Sequence, residues 1–473
     1  MFQIKVDRVY SRVIGDTWEI SEVSSRLLPP PNKKGEPASS LISGDGMFLT
    51  GLLPIVQKMF ECEVEYLYEN DVYRPQDKLL SGLVEGIELR DYQLMSVRKM
   101  LLQGRGLLEL PTGGGKTETS IALTNFYLSK GYRTLFVCGS SYLTQQSQAR
   151  YISRGVKDTG ILYGDEYDSR HKVVCATVQT LYSMIKRGDP EVDRLLQYEV
   201  IIADEVHHLP SMVWKTVMRY SQAVHRFGMS ATIYSNLSGY TERDFHLIGL
   251  TGPIIMRLPM YILVQRGYLS KPLVYLKKIN EGECSKFEWD PVYKTSIVHN
   301  ETRNDFFTEV VEKLHSIGRK SLTFVSHTDT HGMDLLLRYS RFCPEAILTA
   351  GSGRVYRVIG GEVSEEKWTI KDVQAYVAEH TGLSVVSTPV LNEGVDIPSF
   401  GAVVLAAGGK NPRQVTQRIG RGMRKEEEGD ELWIFDCVDL QHPFTKKHSL
   451  DRIELYRKER IPMNWIEDCP LWS

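Results

Sequence analysis

Leu107-Leu108-Glu109-Leu110-Pro111-Thr112-Gly113-Gly114-Gly115-Lys116-Thr117-Glu118-Thr119 runs from an apolar strand pattern, through three glycines, into a helical one. Glycines at 113, 114 and 115 carry no side chains, so backbone N–H groups can wrap the phosphates of a nucleotide. Lys116 is then placed to reach the β- and γ-phosphates, and the Thr117 hydroxyl to ligate Mg²⁺. The competing reading, a flexible turn beside a chance Lys-Thr pair, leaves the flanking strand unexplained.

About ninety residues downstream, Tyr198–Glu205 forms a second apolar run, and Val200-Ile201-Ile202-Ala203 leads into Asp204-Glu205-Val206-His207. Open α/β sheets bind ligands at the carboxyl ends of their strands, where this acidic pair falls. Asp204 is expected to hold the Mg²⁺ and Glu205 to accept the proton of the water that attacks the γ-phosphate. An acidic pair after a strand is weak evidence alone and strong evidence at this interval after a glycine loop.

The 473 residues suffice for two to four domains, and 42% hydrophobic with 25% charged residues is ordinary globular composition. A net charge of −2 demands no polyanionic partner, so any nucleic-acid surface must be a local groove. The seven cysteines include no Cys-x-x-Cys pair to suggest zinc, and their odd number argues against a disulfide framework. Cys138 and Cys175 lie in apolar strand runs and read as small core residues. Without a leader pattern or an apolar run long enough to span a bilayer, a cytoplasmic location (the host cytoplasm for a viral chain) and no membrane partner are expected.

Two rounds of alternating strand and helix patterns predict an α/β fold: two tandem parallel-sheet lobes with a small N-terminal α+β accessory domain. The expected divisions are 1–85 for the accessory domain, 86–265 for the nucleotide lobe, 266–445 for the second lobe and 446–473 for a helical tail. In 1–85, Ile4–Arg12 reads as one strand, Phe48–Phe60 as an amphipathic helix and Cys62–Tyr68 as a strand. Pro29–Gly35 reads either as a DNA-backbone contact or, twice as readily, as a solvated loop. The charged tail helix His448–Arg460 is expected to be plainly exposed.

In the second lobe, Thr388 to Pro398 leaves a strand through a polar loop containing Gly394 and Asp396. Gln417, Arg421 and Arg424 follow at i, i+4, i+7 and share one helical face. Their guanidiniums suit the spread charge of a transferring phosphoryl group, against the plainer reading of a solvated basic face. Ser230-Ala231-Thr232 ends the last strand of the first lobe, and its hydroxyls are suited to link the acidic pair to the interface with the second lobe.

These six ordered blocks, beginning with Leu89-Arg90-Asp91-Tyr92-Gln93, resemble the superfamily-2 helicases over roughly 87–440. The Asp204-Glu205-Val206-His207 form and Gly420-Arg421-Gly422-Met423-Arg424-Lys425 look like the XPB/UvsW branch, most like phage UvsW-type helicases of branched DNA. The Pro111-Thr112-Gly-x-Gly-Lys-Thr form, with Leu110 where a strict phosphate loop has Gly or Ala, is typical of such motors. The resemblance implies that the two parallel-sheet lobes are RecA-like and that the chain is an ATP-dependent DNA helicase using ATP and Mg²⁺ on branched or single-stranded DNA. It implies ATP binding by Arg90, Gln93, Pro111–Thr117, Gly394, Asp396 and Gln417, and catalysis by Lys116, Asp204, Glu205, Arg421 and Arg424. His207, Ser230 and Thr232 would couple the halves. Ser140, Ser141, Thr177, Gln179, Ser326, His327 and Thr388 are candidate phosphate contacts, each equally a helix cap. A DExH RNA helicase and a non-catalytic nucleotide-dependent scaffold are the rival readings. A strand-separating wedge, where one exists, is expected in 1–85 or in Gly351–Gly361, though an ordinary glycine-rich connection is the readier account of the latter.

Overall fold

The computed structural model describes residues 2–31, 40–69, 71–74, 80, 82–233, 241–282, 284–285, 287–388, 400–409, 415, 419–420 and 431–472. The chain divides into two compact units, one of residues 1–111 with 115–258 and one of 112–114 with 259–473.

The first unit opens with β1 (Phe2–Val6), β2 (Tyr10–Ile14), β3 (Met47–Leu49) and β4 (Cys62–Tyr66), which make a sheet ordered β3-β2-β1-β4. Ile4–Arg12 is therefore two antiparallel strands, because Asp7 N bonds Tyr10 O and turns the chain between them. Phe48–Phe60 is likewise broken: β3 passes through the 3₁₀ turn Thr50–Leu52 into the short helix Leu53–Met59. Pro54 sits in that helix's first turn, where its missing N–H costs nothing. Gly51 permits the turn to lie against the lobe, since a Cβ there would sit 2.0 Å from Ile248 O.

The large sheet of this unit contains β5 (Arg105–Glu109), β6 (Thr134–Cys138), β7 (Thr159–Tyr163), β8 (Glu166–Asp168), β9 (Val173–Thr177), β10 (Val200–Asp204), β11 (His225–Ser230) and β12 (Ile254–Arg257). Their order is β12-β5-β11-β10-β6-β9-β7-β8, and only the β7–β8 pairing is antiparallel. Strands β6 and β9 are buried at every residue, as continuous apolar runs covered on both faces should be. Cys138 and Cys175 lie in that core, and all seven cysteines are free.

The second unit is built on β13 (Lys271–Ile279), β14 (Ser321–Phe324), β15 (Ile347–Thr349), β16 (Arg354–Ile359), β17 (Glu362–Lys367), β18 (Ser384–Ser387), β19 (Ala402–Val404), β20 (Glu431–Asp439) and β21 (Met463–Trp465). Their order is β17-β16-β15-β18-β14-β19-β20-β13-β21. Gly351–Gly361 is not a plain connection: it supplies β16 of an edge hairpin that turns at Gly360 and Gly361, both with positive φ. The tail helix, Pro443–Lys458, is not plainly exposed either. It buries Arg452, Leu455 and Tyr456 against β20, and β21 beyond it joins the sheet beside β13. Arg452 Nε reaches Asp436 at 2.8 Å, and Arg303 Nε reaches Asp439 at 3.0 Å. The two guanidiniums also bond the carbonyls of Ala406 and Gly409.

Candidate nucleotide site

Three adjacent parallel strands, β5, β11 and β10, end side by side in the first unit. Neighbouring strands lie about 4.8 Å apart. Leu110, Lys116, Ser230 and the acidic pair thus gather at the carboxyl ends of these inner strands despite wide separation in sequence. Leu110 N continues the β5 pairing by bonding Ser230 O at 3.1 Å. Gly113 and Gly115 adopt φ of 79° and 74°, a region that only glycine enters without cost. Gly115 then caps the helix Lys116–Ser129, whose first N–H groups point out as anion donors.

Lys116 Nζ lies 3.9 Å from Glu205 Oε1, and both side chains are largely enclosed. Glu205 stands at φ 48°, one of two non-glycine residues with positive φ among the described residues. From there its Oε2 meets His207 Nδ1 at 3.1 Å and accepts from Ser230 Oγ at 3.3 Å. Ser230 Oγ also lies 2.9 Å from His207 Nδ1 and accepts from Thr232 N at 3.2 Å. Glu205, His207, Ser230 and the Thr232 backbone therefore form one connected set.

Asp204 is partly buried, and its Oδ1 is enclosed with no hydrogen-bond partner among the described residues. Burial first, and the neighbouring Glu205 charge second, push its pKa above the usual carboxylate range, with Lys116 opposing both. A buried oxygen without a donor fits a cation. Among the described residues no group of three or more His, Cys, Asp or Glu could hold one alone. Mg²⁺ keeps waters and needs only one or two protein oxygens beside substrate phosphates.

Arg90 and Gln93 begin the helix Asp91–Gln103. Gln93 is buried: its Oε1 accepts from Arg90 N at 2.8 Å, and its Nε2 donates to Gly115 O at 3.4 Å. The residue expected to read a base thus also braces the phosphate loop, a tie no spacing in the sequence announces. Arg90 Nη1 donates to Tyr92 OH at 2.9 Å.

The candidate phosphate contacts divide. Ser140 and Thr177 cap the helices Ser141–Ser153 and Val178–Arg187, and Thr177 is buried with its hydroxyl on Thr180, so capping is the role observed. Gln179 is exposed and donates to Gly139 O at 2.9 Å, which ties the segments after β9 and β6 together next to Ser141. In the second unit Ser326 and His327 are exposed beyond β14, whereas Thr388, beyond the neighbouring β18, is buried and bonds Thr349 O. Gly394, Asp396, Gln417, Arg421 and Arg424 lie outside the described residues.

Residues 86–235 match the family described as the res subunit of type III restriction enzymes, and residues 302–426 match the helicase conserved C-terminal domain. A DNA 3′-5′ translocase, XPB2 of Sulfurisphaera tokodaii, is 27% identical over 72% of this chain and 80% of its own length. A protein of Acanthamoeba polyphaga mimivirus named for ATP-dependent RNA helicase activity is also 27% identical, over 81% of this chain and 66% of its own length. The crystal structure of T4 UvsW aligns with 98% of this chain and 98% of its own at 17% identity, with a TM-score of 0.46.

Proposed function

We infer that this chain, which belongs to the superfamily-2 helicases of the XPB/UvsW type, is an ATP-driven DNA translocase that remodels forked or four-way junctions. The observation that carries the motor reading is the meeting of the Lys116 loop, Glu205 and Ser230 on adjacent strand ends. ATP with Mg²⁺ supplies the free energy of phosphoryl transfer. Lys116 and the N–H groups of 113–117 hold the phosphates, Thr117 and Asp204 hold the cation, and Glu205 takes the proton of the attacking water. Arg421 and Arg424 are assigned to charge developing in the transition state, and Gln417, Gly394 and Asp396 to the nucleotide; this assignment rests on their sequence pattern. Ser230 and His207 bond the base directly, so a shift at either reaches Glu205.

DNA is preferred to RNA as substrate on the relative named as a DNA translocase, while the mimivirus relative's name supports the RNA reading. Gln179, Ser326 and His327 remain exposed for backbone contacts, which carry no sequence preference. The edge hairpin suits a duplex wedge poorly, because its outer strand carries Glu362, Glu365 and Glu366 against one lysine, Lys367. The deciding experiment measures ATP turnover and unwinding on single-stranded DNA, forks, four-way junctions and RNA duplexes. Stimulation by forks and junctions above the rest is expected. Preferential stimulation by RNA would establish the RNA helicase, and turnover unchanged by every nucleic acid would establish the scaffold.

A further inference from the structure

A cavity of about 700 Å³ opens within the first unit, where the end of the helix Thr17–Arg26 and the helix Leu53–Met59 meet the nucleotide lobe. It falls in the size range of ligand sites, yet no motif of the motor lines it. Eleven of its fifteen lining residues are apolar, among them Leu28, Ile55, Met59, Leu102 and Ile254. Leu28 and Met59, both lining it, remain 50% and 46% exposed, and contiguous exposed apolar surface of this kind marks interaction sites.

The charged residues of the lining are Arg26, Lys58 and Lys99, and none is acidic. Arg26 is partly compensated, since it pairs with Glu22 at 2.9 Å and lies over the Phe60 ring. Lys58 and Lys99 are exposed and enter no ion pair among the described residues. An aliphatic floor offers little for bases to stack on, because Phe245 is its single aromatic residue. A nucleic acid would spread phosphates over that floor. An amphipathic protein segment would instead bury apolar anchors and present carboxylates to the rim.

We propose that this groove docks an acidic amphipathic segment of a partner protein, with apolar residues in the cavity and Asp or Glu against Lys58 and Lys99. Helix-in-groove recognition of this kind uses anchors at i, i+3, i+4 and i+7. The groove lies between two parts that share one core, so a docked partner would be held at a fixed place relative to the nucleotide lobe.

The test uses the full chain and a fluorescein-labelled peptide of about 15 residues, with leucines at i, i+3, i+4 and i+7 among aspartates and glutamates. Anisotropy should show saturable binding. Lys58→Glu with Lys99→Glu should weaken it about tenfold or more, as should Leu28→Asp, while ATP turnover stays at the parent level. A peptide with lysines in place of the acids should recover binding to the charge-reversed chain. Absence of saturable binding, equal binding by the charge-reversed chain, or displacement of the peptide by oligothymidine that itself binds more tightly would each overturn the proposal.

Discussion

Glu205 occupies a backbone region that costs about 1–3 kcal/mol for a residue with a Cβ, and such strain persists where the surroundings over-determine it. Here they do so through Lys116, His207 and Ser230. Glu205→Gln keeps the side chain's volume and removes its basicity. It should bind ATP normally and lose about 10²-fold or more of nucleic-acid-stimulated hydrolysis, read by steady-state turnover and nucleotide titration. Lys116→Ala should instead bind ATP poorly, and normal turnover in Glu205→Gln would remove that residue from the role of base. Ser230→Ala deletes the hydroxyl that donates to Glu205 without touching the phosphate loop. Basal turnover should persist while stimulation by DNA drops several-fold. Equal loss of both would make Ser230 part of the chemistry rather than of the coupling. Of these residues, the glycines, Lys116 and the acidic pair are legible in the sequence because their chemistry demands fixed spacing. The bracing of the loop by Gln93 is not, since Gln93 and Gly115 lie on separate elements.

At the scale of elements, buried parallel strands are readable because both faces are covered and the apolar run is continuous, as in Thr134–Cys138. The edges were not. β8 is exposed at all three residues and β17 carries EVSEEK, so neither shows the apolar signal of a strand. The tail helix misleads for the opposite reason: its charged composition hides a buried arginine. Arg452 is 2% exposed and holds Asp436, while the carbonyl of Gly409 accepts from it just before the sequence block containing Arg421. Arg452→Met should cost about 3–5 kcal/mol, because it strands a buried carboxylate, and the loss would appear as a lower urea midpoint. Adding Asp436→Asn should restore part of it. A second buried group sets an acid limit. His225 is packed 4.5 Å from the Tyr127 ring, and burial depresses its pKa to about 4. Below about pH 6.5 the unfolded chain takes up a proton that the folded chain refuses, so stability falls between about 6.5 and 4, by up to about 3 kcal/mol. His225→Phe should flatten the urea midpoint across that window. An unchanged slope would show that other groups carry the acid sensitivity.

At the scale of the molecule, the accessory strands do not form a separable domain in the energetic sense. One apolar cluster joins Ile4, Val6, Phe48, Leu49 and Leu52 to Leu247, Ile248 and Leu250, and continues to Leu107, Val137 and Ile201 inside the nucleotide lobe. Backbones approach closely across it, since a Cβ added at Gly249 would lie 2.7 Å from that of Leu49. The loop ahead of the lobe is pinned as well: Tyr132 OH donates to Asp71 at 2.7 Å, and Asn125 Nδ2 donates to Leu83 O at 2.6 Å. The change of strand and helix pattern near residue 85 thus marks a change of architecture, and the packing runs straight through it. Removing residues 1–85 would expose Leu247, Ile248 and Leu250, each worth about 1.5–3 kcal/mol when buried. Their sum, about 4.5–9 kcal/mol, is comparable to the lower half of the 5–15 kcal/mol stability of a typical domain. The truncated chain should therefore show a much lower Tm, bind more of a hydrophobic dye and aggregate more readily than the full chain. Loss of unwinding in such a truncation would report lost structure and could not assign strand separation to the accessory strands. Exposed substitutions that leave the shared core intact, scored as unwinding relative to ATP turnover, are the proper comparison. A truncated chain that stays monomeric with an unchanged Tm would show that the nucleotide lobe closes its own core.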